Sequence, residues 1–313
     1  MRILLELPSW LGDAVMASPS IENIINYYPD CKITFLGPIY VLGLYKYHPN
    51  KDRLVTLDKT NLSLHNQFRN LGEFDMFISY RSSLRTKMFK YSIRAQKRYQ
   101  FNKRRFKLGH QVEKYNYFIT SITGKVATPG KLKIYLNEKK STTKNDLKII
   151  GLNPGAFYGE AKCWPPSYFS SLAELLKDEY SFLIFGSESQ YDLNHNIEKD
   201  FANYGIKNYE NLTGKTTTEE LVEQISKLDY FVTGDSGPMH IAASFAIPTI
   251  SIFGPTIFDE TSQWKAQNSV LLKENLSCMP CMKRVCPLGH NNCMKFVTPD
   301  KVVKALKGLS SKI

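Results

Sequence analysis

Three short stretches carry residue types that can do chemistry. In "TGDSGPMH" (233–240), Asp235 and Ser236 stand between Gly234 and Gly237, after an apolar run and before the helix-forming "PMHIAASFA". The glycines permit a tight turn and close approach by a ligand. Ser236 is placed to cap the helix, whose first amide N–H groups favour phosphate. Asp235 repels a phosphate set directly against it, so it suits hydrogen bonds from a hydroxyl-rich neighbour. A phosphate beside a polyol describes a nucleotide sugar. The same residues equally suit an ordinary capped strand–helix turn, because a short Gly-rich turn is a weak signal.

The second stretch, "LPSWLGDAVMASPSI", puts Asp13 just after the first apolar run. A carboxylate there can act as general base on an acceptor hydroxyl, or simply cap a helix beginning near Ala14. The third, "NPGAFYGEAKCWPPSYF", places Lys162 in a loop beyond the strand that ends at Asn153. A lysine over a pyrophosphate neutralises charge on a leaving nucleoside diphosphate. Taken alone, it is an ordinary surface lysine, and Trp164 with its two prolines is a packing and turn feature.

The elements that must position these residues alternate. "RILLELP", "KITFLGP", "RLVTLD" and "FDMFISY" read as strands, and "MASPSIENIINYYP" as a helix. After the polar "TTKNDL" the pattern repeats. "KIIGLNPG", "SFLIFGS", "YFVTGD" and "PTISIFG" read as strands. The helices between them are "SYFSSLAELLKDE", "TTEELVEQISKL" (Thr as cap, acids in its first turn) and "PMHIAASFA". This alternation predicts parallel sheets. It divides the chain into residues 1–145 and 146–313, two Rossmann-like doubly wound domains facing a cleft. Ligands in such sheets lie beyond the carboxyl ends of the strands. The last helix, "TPDKVVKALKGL", suits packing on either domain, including back across the first.

Charge separates the halves. Residues 1–145 hold 25 Lys and Arg against 10 Asp and Glu, whereas the remainder hold 16 against 19. The first half therefore faces an anionic, extended partner. Its focus is 81–107, with 11 Lys and Arg, no acid, and Phe89, Tyr91, Tyr99, Phe101 and Phe106 interleaved. That pattern fits nucleic acid or an anionic membrane surface. A solvated helix face would mix the signs. No apolar run approaches the roughly 18 residues that span a bilayer, and the N-terminus reads as a strand rather than a signal peptide, so a cytoplasmic protein is expected. Cys278, Cys281, Cys286 and Cys293 follow a C-x2-C-x4-C-x6-C spacing that fits a structural zinc or iron–sulfur site, with His290 beside it. Buried thiols or a redox-dependent pair fit as well.

Together with "NLTGKTT", "FGPT" and "SCMPCMKRVCPLGHNNCM", the three stretches resemble the lipopolysaccharide heptosyltransferases, glycosyltransferase family 9, through nearly the whole chain. The late "CPLGH" block looks most like the branch that adds the second heptose. The resemblance implies a GT-B fold, with the acceptor on the first domain and ADP-heptose mainly on the second. It implies an inverting transfer that requires no cofactor and no metal. By resemblance Asp13 is the base and Lys162 contacts the donor phosphates, while Asp235, Ser236, Gly237 and His240 form the sugar- and pyrophosphate-binding turn. Glu188, in preference to Asp192, matches the acid on the ribose, and Lys215 and Thr216 lie near adenine. The implied acceptor is heptosyl-Kdo-lipid A. Arg81, Arg85, Arg104 and Arg105 are expected to face it and the anionic inner leaflet, in an enzyme peripheral to the inner membrane. The cysteine segment is then a donor-domain loop, and no nucleic acid is expected. Another family 9 transferase, such as one adding the first heptose, and a basic nucleic-acid-binding protein are the alternative readings.

Overall fold

Ile3, Leu4 and Leu5 form a run without alternation, as expected of a strand covered on both faces, and all three are fully buried. They belong to β1 (Arg2–Glu6) in a computed structural model that describes residues 1–56, 67–137 and 147–311. Two compact units emerge, Met1–Glu138 and Lys139–Ile313. The boundary expected at 145/146 lies outside the described residues.

The first unit continues with α1 (Leu11–Tyr27), β2 (Lys32–Leu36), α2 (Ile39–Leu42), β3 (Lys51–Val55), β4 (Glu73–Ser79), α3 (Leu84–Phe89), β5 (Arg94–Gln100) and α4 (Gln111–Thr123). The last two residues of the expected strand "RLVTLD" lie outside the described residues. The sheet is parallel throughout, in the order β3-β2-β1-β4-β5. Helix α1 starts earlier than expected, at Leu11, with Trp10 in the N-cap position. It runs through Pro19, which has no N–H for the Val15 carbonyl. The Ser18 hydroxyl donates to that carbonyl instead, at 2.7 Å. The basic stretch, expected as a surface segment, contains both α3 and the edge strand β5. Its strand character is hidden because "RAQKRYQ" buries only Ala95.

The second unit contains β6 (Lys148–Asn153), α5 (Pro166–Leu176), β7 (Tyr180–Ile184), α6 (Tyr191–Asn203), β8 (Tyr209–Asn211), α7 (Thr218–Ser226), β9 (Tyr230–Gly234), α8 (Gly237–Ser244), β10 (Thr249–Phe253), α9 (Phe258–Thr261), β11 (Ser269–Lys273), α10 (Asn292–Lys295) and α11 (Pro299–Ser310). Its strands are also parallel, in the order β11-β10-β9-β6-β7-β8. Strand order therefore reverses between β6 and β9, the switch point of a doubly wound sheet. Thr217 caps α7, as expected of a Thr at that helix start, and the structure adds a capping box with Glu220. Helix α11 packs within this unit: Val302, Leu306 and Leu309 enter its core, and Ser310 meets the Tyr230 hydroxyl at 2.7 Å.

Candidate active site

In the second unit, Lys162, Asp235, Ser236 and His240 follow the carboxyl ends of β6 and β9, and Thr256 joins them from just past β10. Asn153 ends β6, and its amide donates to Thr233 Oγ1 at 3.0 Å and to Ser236 Oγ at 3.2 Å. Beyond β9 the Asp235 carboxylate is 7% exposed. Its Oδ2 accepts from Lys162 Nζ at 2.5 Å and from Thr256 Oγ1, just past β10, at 2.7 Å. A carboxylate beside a helix N-terminus is thus offset by an ammonium in contact with it. This resolves the conflict between Asp235 and an anion-binding turn, because the local charge is balanced before any phosphate arrives.

Two glycines make this contact possible. A Cβ on Gly234 would stand 2.9 Å from the Lys162 carbonyl, so only glycine lets the lysine loop press against the end of β9. Gly159 starts that loop at φ 154°, against the Arg284 backbone, and the Arg284 carbonyl accepts from the Ala161 amide at 3.0 Å. Lys162 Nζ also lies 4.6 Å from the Tyr158 ring centroid, with the Arg284 guanidinium 5.4 Å from the same ring. Two cations and one anion therefore share a small space.

Ser236 departs from expectation. It occupies the N-cap position of α8, but its side chain does not cap the helix. Its hydroxyl pairs with Thr233 Oγ1 at 3.0 Å as well as with Asn153. The first-turn amides from Gly237 onward are thus not taken by that side chain, which suits an incoming anion. His240 lies on the same helix and is buried.

Glu188, Lys215 and Thr216 lie at the same edge of the sheet, beyond β7 and β8. Glu188 opens a short 3-10 turn fastened by Ser187 and Gln190, and its Cα would be 3.4 Å from a Cβ on Gly214. Lys215 folds its ammonium onto the Asn211 carbonyl at 2.8 Å, and Thr216 leads into the Thr217 cap. Asp192 stands in the first turn of α6 and is exposed.

In the first unit, Asp13 is inside the first turn of α1 rather than at its cap. It lies close to Tyr115 on α4, whose hydroxyl is pushed well above its ordinary value by burial and then by the Asp13 charge. Arg81 Nη1 is 3.4 Å from Glu6 Oε1, and Arg85 follows in α3. Arg104 and Arg105 occupy the turn after β5, where the Arg105 guanidinium lies 5.3 Å from the Phe106 ring and Phe106 stacks on Phe101. The two basic loops touch, since the Lys103 amide donates to Ser82 Oγ at 3.3 Å. All follow the carboxyl ends of adjacent parallel strands. Arg98 is used differently, donating to the carbonyls of Lys90 and Ile93 as a brace between α3 and β5.

Sequence reasoning passed over Asn153, Tyr158, Thr256 and Arg284. Thr256 was within reach, because "FGPT" follows an apolar strand at the edge where ligands bind. Arg284 carried no local signal, as it arrives from the cysteine segment. That segment braces the site: the Met282 amide donates to the Pro255 carbonyl at 2.8 Å, and Tyr158 donates to the Met282 carbonyl at 2.9 Å. Its cysteines are free thiols. The Cys286 thiol is drawn below its ordinary value, chiefly by the Asn291 N–H and then by neighbouring backbone N–H groups. Among the described residues no group of three or more His, Cys, Asp or Glu side chains is arranged to hold a metal ion.

Residues 74–292 match the profile of "Glycosyltransferase family 9 (heptosyltransferase)". The chain is 39% identical to lipooligosaccharide heptosyltransferase 2 of Campylobacter jejuni, over 99% of this chain and 100% of that one. Among solved structures, E. coli ADP-heptose LPS heptosyltransferase II superposes with a TM-score of 0.81 at 21% identity, covering 99% of this chain and 98% of that one. A family 9 glycosyl transferase from Veillonella parvula superposes with a TM-score of 0.83 at 21% identity, covering 100% and 98%. These likenesses show the GT-B fold, with its two Rossmann-like units.

Proposed function

Since the chain belongs to glycosyltransferase family 9, the heptosyltransferases, we propose that it transfers heptose from ADP-heptose to heptosyl-Kdo-lipid A, adding the second heptose of the inner core. The observation that carries this reading is the Lys162–Asp235–Thr256 contact at the switch point of the second sheet. It offers a balanced cation–anion pair where a nucleotide sugar presents phosphates beside hydroxyls.

In this reading the Asp13 carboxylate takes the proton from the acceptor hydroxyl as that oxygen attacks the anomeric carbon. ADP departs from the opposite face with the electrons of the broken C–O bond. Lys162 and the first amides of α8 stabilise the charge on its phosphates. Asp235 and His240 hold the heptose side, Glu188 the ribose, and Lys215 and Thr216 the adenine side. The chemistry asks for no cofactor.

The acceptor side belongs to the basic loops of the first unit. Leu84, Met88 and Tyr91 are 72%, 66% and 73% exposed among Arg85, Lys87 and Lys90. Exposed apolar side chains set among cations favour an anionic lipid surface over nucleic acid. Among the described residues no helix is long and apolar enough to cross a membrane. The exposed apolar and basic side chains support the reading of an enzyme peripheral to the inner leaflet, on its cytoplasmic side.

A mass-resolved transfer assay tests the proposal, using ADP-heptose with Kdo2–lipid A and with its mono-heptosylated form. One heptose added to the second acceptor alone is the expected result. Addition to the first acceptor changes the step, and addition to neither removes the reading.

A further inference from the structure

Glu6 is an acid at the end of a central strand whose interior, Ile3 to Leu5, is apolar and buried. It is the last residue of β1, at the point where the first sheet reverses its strand order between β1 and β4. Its carboxylate is 6% exposed, and its partners come from three other places. Ser79, ending β4, donates to Oε2 at 2.6 Å. Thr86, in α3, donates to the same oxygen at 3.0 Å. Arg81 Nη1 lies 3.4 Å from Oε1.

The loop bearing Arg81 is held from further sides. The Arg81 amide donates to Ser79 Oγ at 3.1 Å, and the Gln100 amide group, ending β5, donates to the Arg81 and Ser83 carbonyls at 3.1 and 2.9 Å. Three strand ends thus fix one arginine. Its side chain is still 29% exposed, and its charge reaches the Tyr40 hydroxyl, itself bonded to the Ser9 carbonyl.

A neutral side chain would satisfy Ser79 and Thr86 without the cost of burying a charge. What the carboxylate adds is a fixed direction for the guanidinium. Arginine carries five donors in a planar fork, and Nη1 to Glu6 is the side-chain contact Arg81 makes among the described residues. The remaining donors match a pair of anionic oxygens.

Resting on the reading above, we propose that Glu6 is a positioning residue for acceptor recognition. It holds one edge of Arg81 so that the other edge receives an anionic oxygen pair, carboxylate or phosphate, of the acceptor.

The test is a double-mutant cycle of Glu6→Gln, Arg81→Ala and the double variant. Acceptor binding is measured by calorimetry without donor, and transfer by ADP release. Glu6→Gln keeps one acceptor oxygen for Ser79 and Thr86 and puts an NH2 donor where Oε1 faced Arg81, so it loses the charge and the acceptor toward Arg81 together. It should weaken acceptor binding about three- to tenfold. Acceptor KM should rise in step, donor KM should stay unchanged, and the thermal midpoint should not fall. In the Arg81→Ala background the same change should have no further effect.

Equal acceptor affinity in Glu6→Gln and wild type would overturn the proposal. So would a loss that persists without Arg81, a rise in donor KM of the same size, or a wild-type chain that binds no anionic acceptor. Repeating the calorimetry with a dephosphorylated acceptor, and with one whose carboxyls are esterified, shows which anion Arg81 takes. The Glu6 effect should vanish with one of them; its survival with both is a further overturning result. Failure of the functional reading appears separately, as wild-type protein that binds acceptor yet releases no ADP, and the binding cycle still decides the role of Glu6.

Discussion

Lys162 Nζ and Asp235 Oδ2 meet at 2.5 Å at the carboxyl edge of a parallel sheet, and Thr256 donates to the same oxygen. Both side chains are largely withdrawn from water, at 12% and 7% exposed. Removing the cation strands the anion. Lys162→Met should therefore cost about 3–5 kcal/mol of stability, and kcat/KM should drop about 10²- to 10³-fold with effects on donor KM and kcat together. Denaturant melts and steady-state kinetics check both. A variant that melts like wild type and turns over normally would take Lys162 out of both roles.

Asp13 stands in the first turn of α1 without being its cap. If it is the general base, Asp13→Asn should lower kcat about 10²- to 10⁴-fold while ADP-heptose binding stays within twofold or so. Calorimetry and single-turnover transfer separate the two. Retained turnover in this nearly isosteric variant would leave the base unassigned.

The buried Glu6 carboxyl gives a pH signature. Burial raises it above the ordinary glutamate value, despite the hydrogen bond from Ser79, the Arg81 charge and the hydrogen bond from Thr86. A carboxyl with a raised folded value stabilises the fold while protonated, and that contribution is lost as pH rises through the folded value. Glu6→Gln stays neutral throughout. Its stability relative to wild type should therefore grow as pH rises from the ordinary glutamate value through the raised one. A difference that is flat or shrinks across that range would contradict the assignment.

The cysteine segment makes a labelling prediction. Backbone N–H groups favour the Cys286 thiolate, whereas burial, followed by the charges of Cys286, Cys278 and Cys281, pushes the Cys293 thiol up. Iodoacetamide at near-neutral pH should modify Cys286 well before Cys293, because the thiolate is the nucleophile. Peptide mapping over a time course reads the order directly. Simultaneous modification of the two would show that neither shift matters.

Much of the site was legible because local rules act on neighbours in sequence. Glycines on either side of Asp235, an acid soon after the first strand and a Thr cap with acids in the first turn all report the backbone they require. Ser236 shows where such rules stop. Its position is that of a cap, yet its hydroxyl prefers Thr233 and Asn153, and Asn153 lies 83 residues away. The strand β5 was hidden for a related reason. An edge strand keeps one side in water, so its basic residues look like a surface run.

By itself the sequence determined two doubly wound units, their charge contrast, and the three stretches where chemistry can occur. Periodicity and turn chemistry are properties of adjacent residues. Only tertiary structure decided which distant side chains meet. It paired Lys162 with Asp235 and Thr256 through three strand ends, brought Arg284 to Tyr158 from the cysteine segment, and set Glu6 under Arg81. Parallel strands make this possible, because crossovers return every strand's carboxyl end to one edge, so residues far apart in the chain share one small volume where burial strengthens each charge.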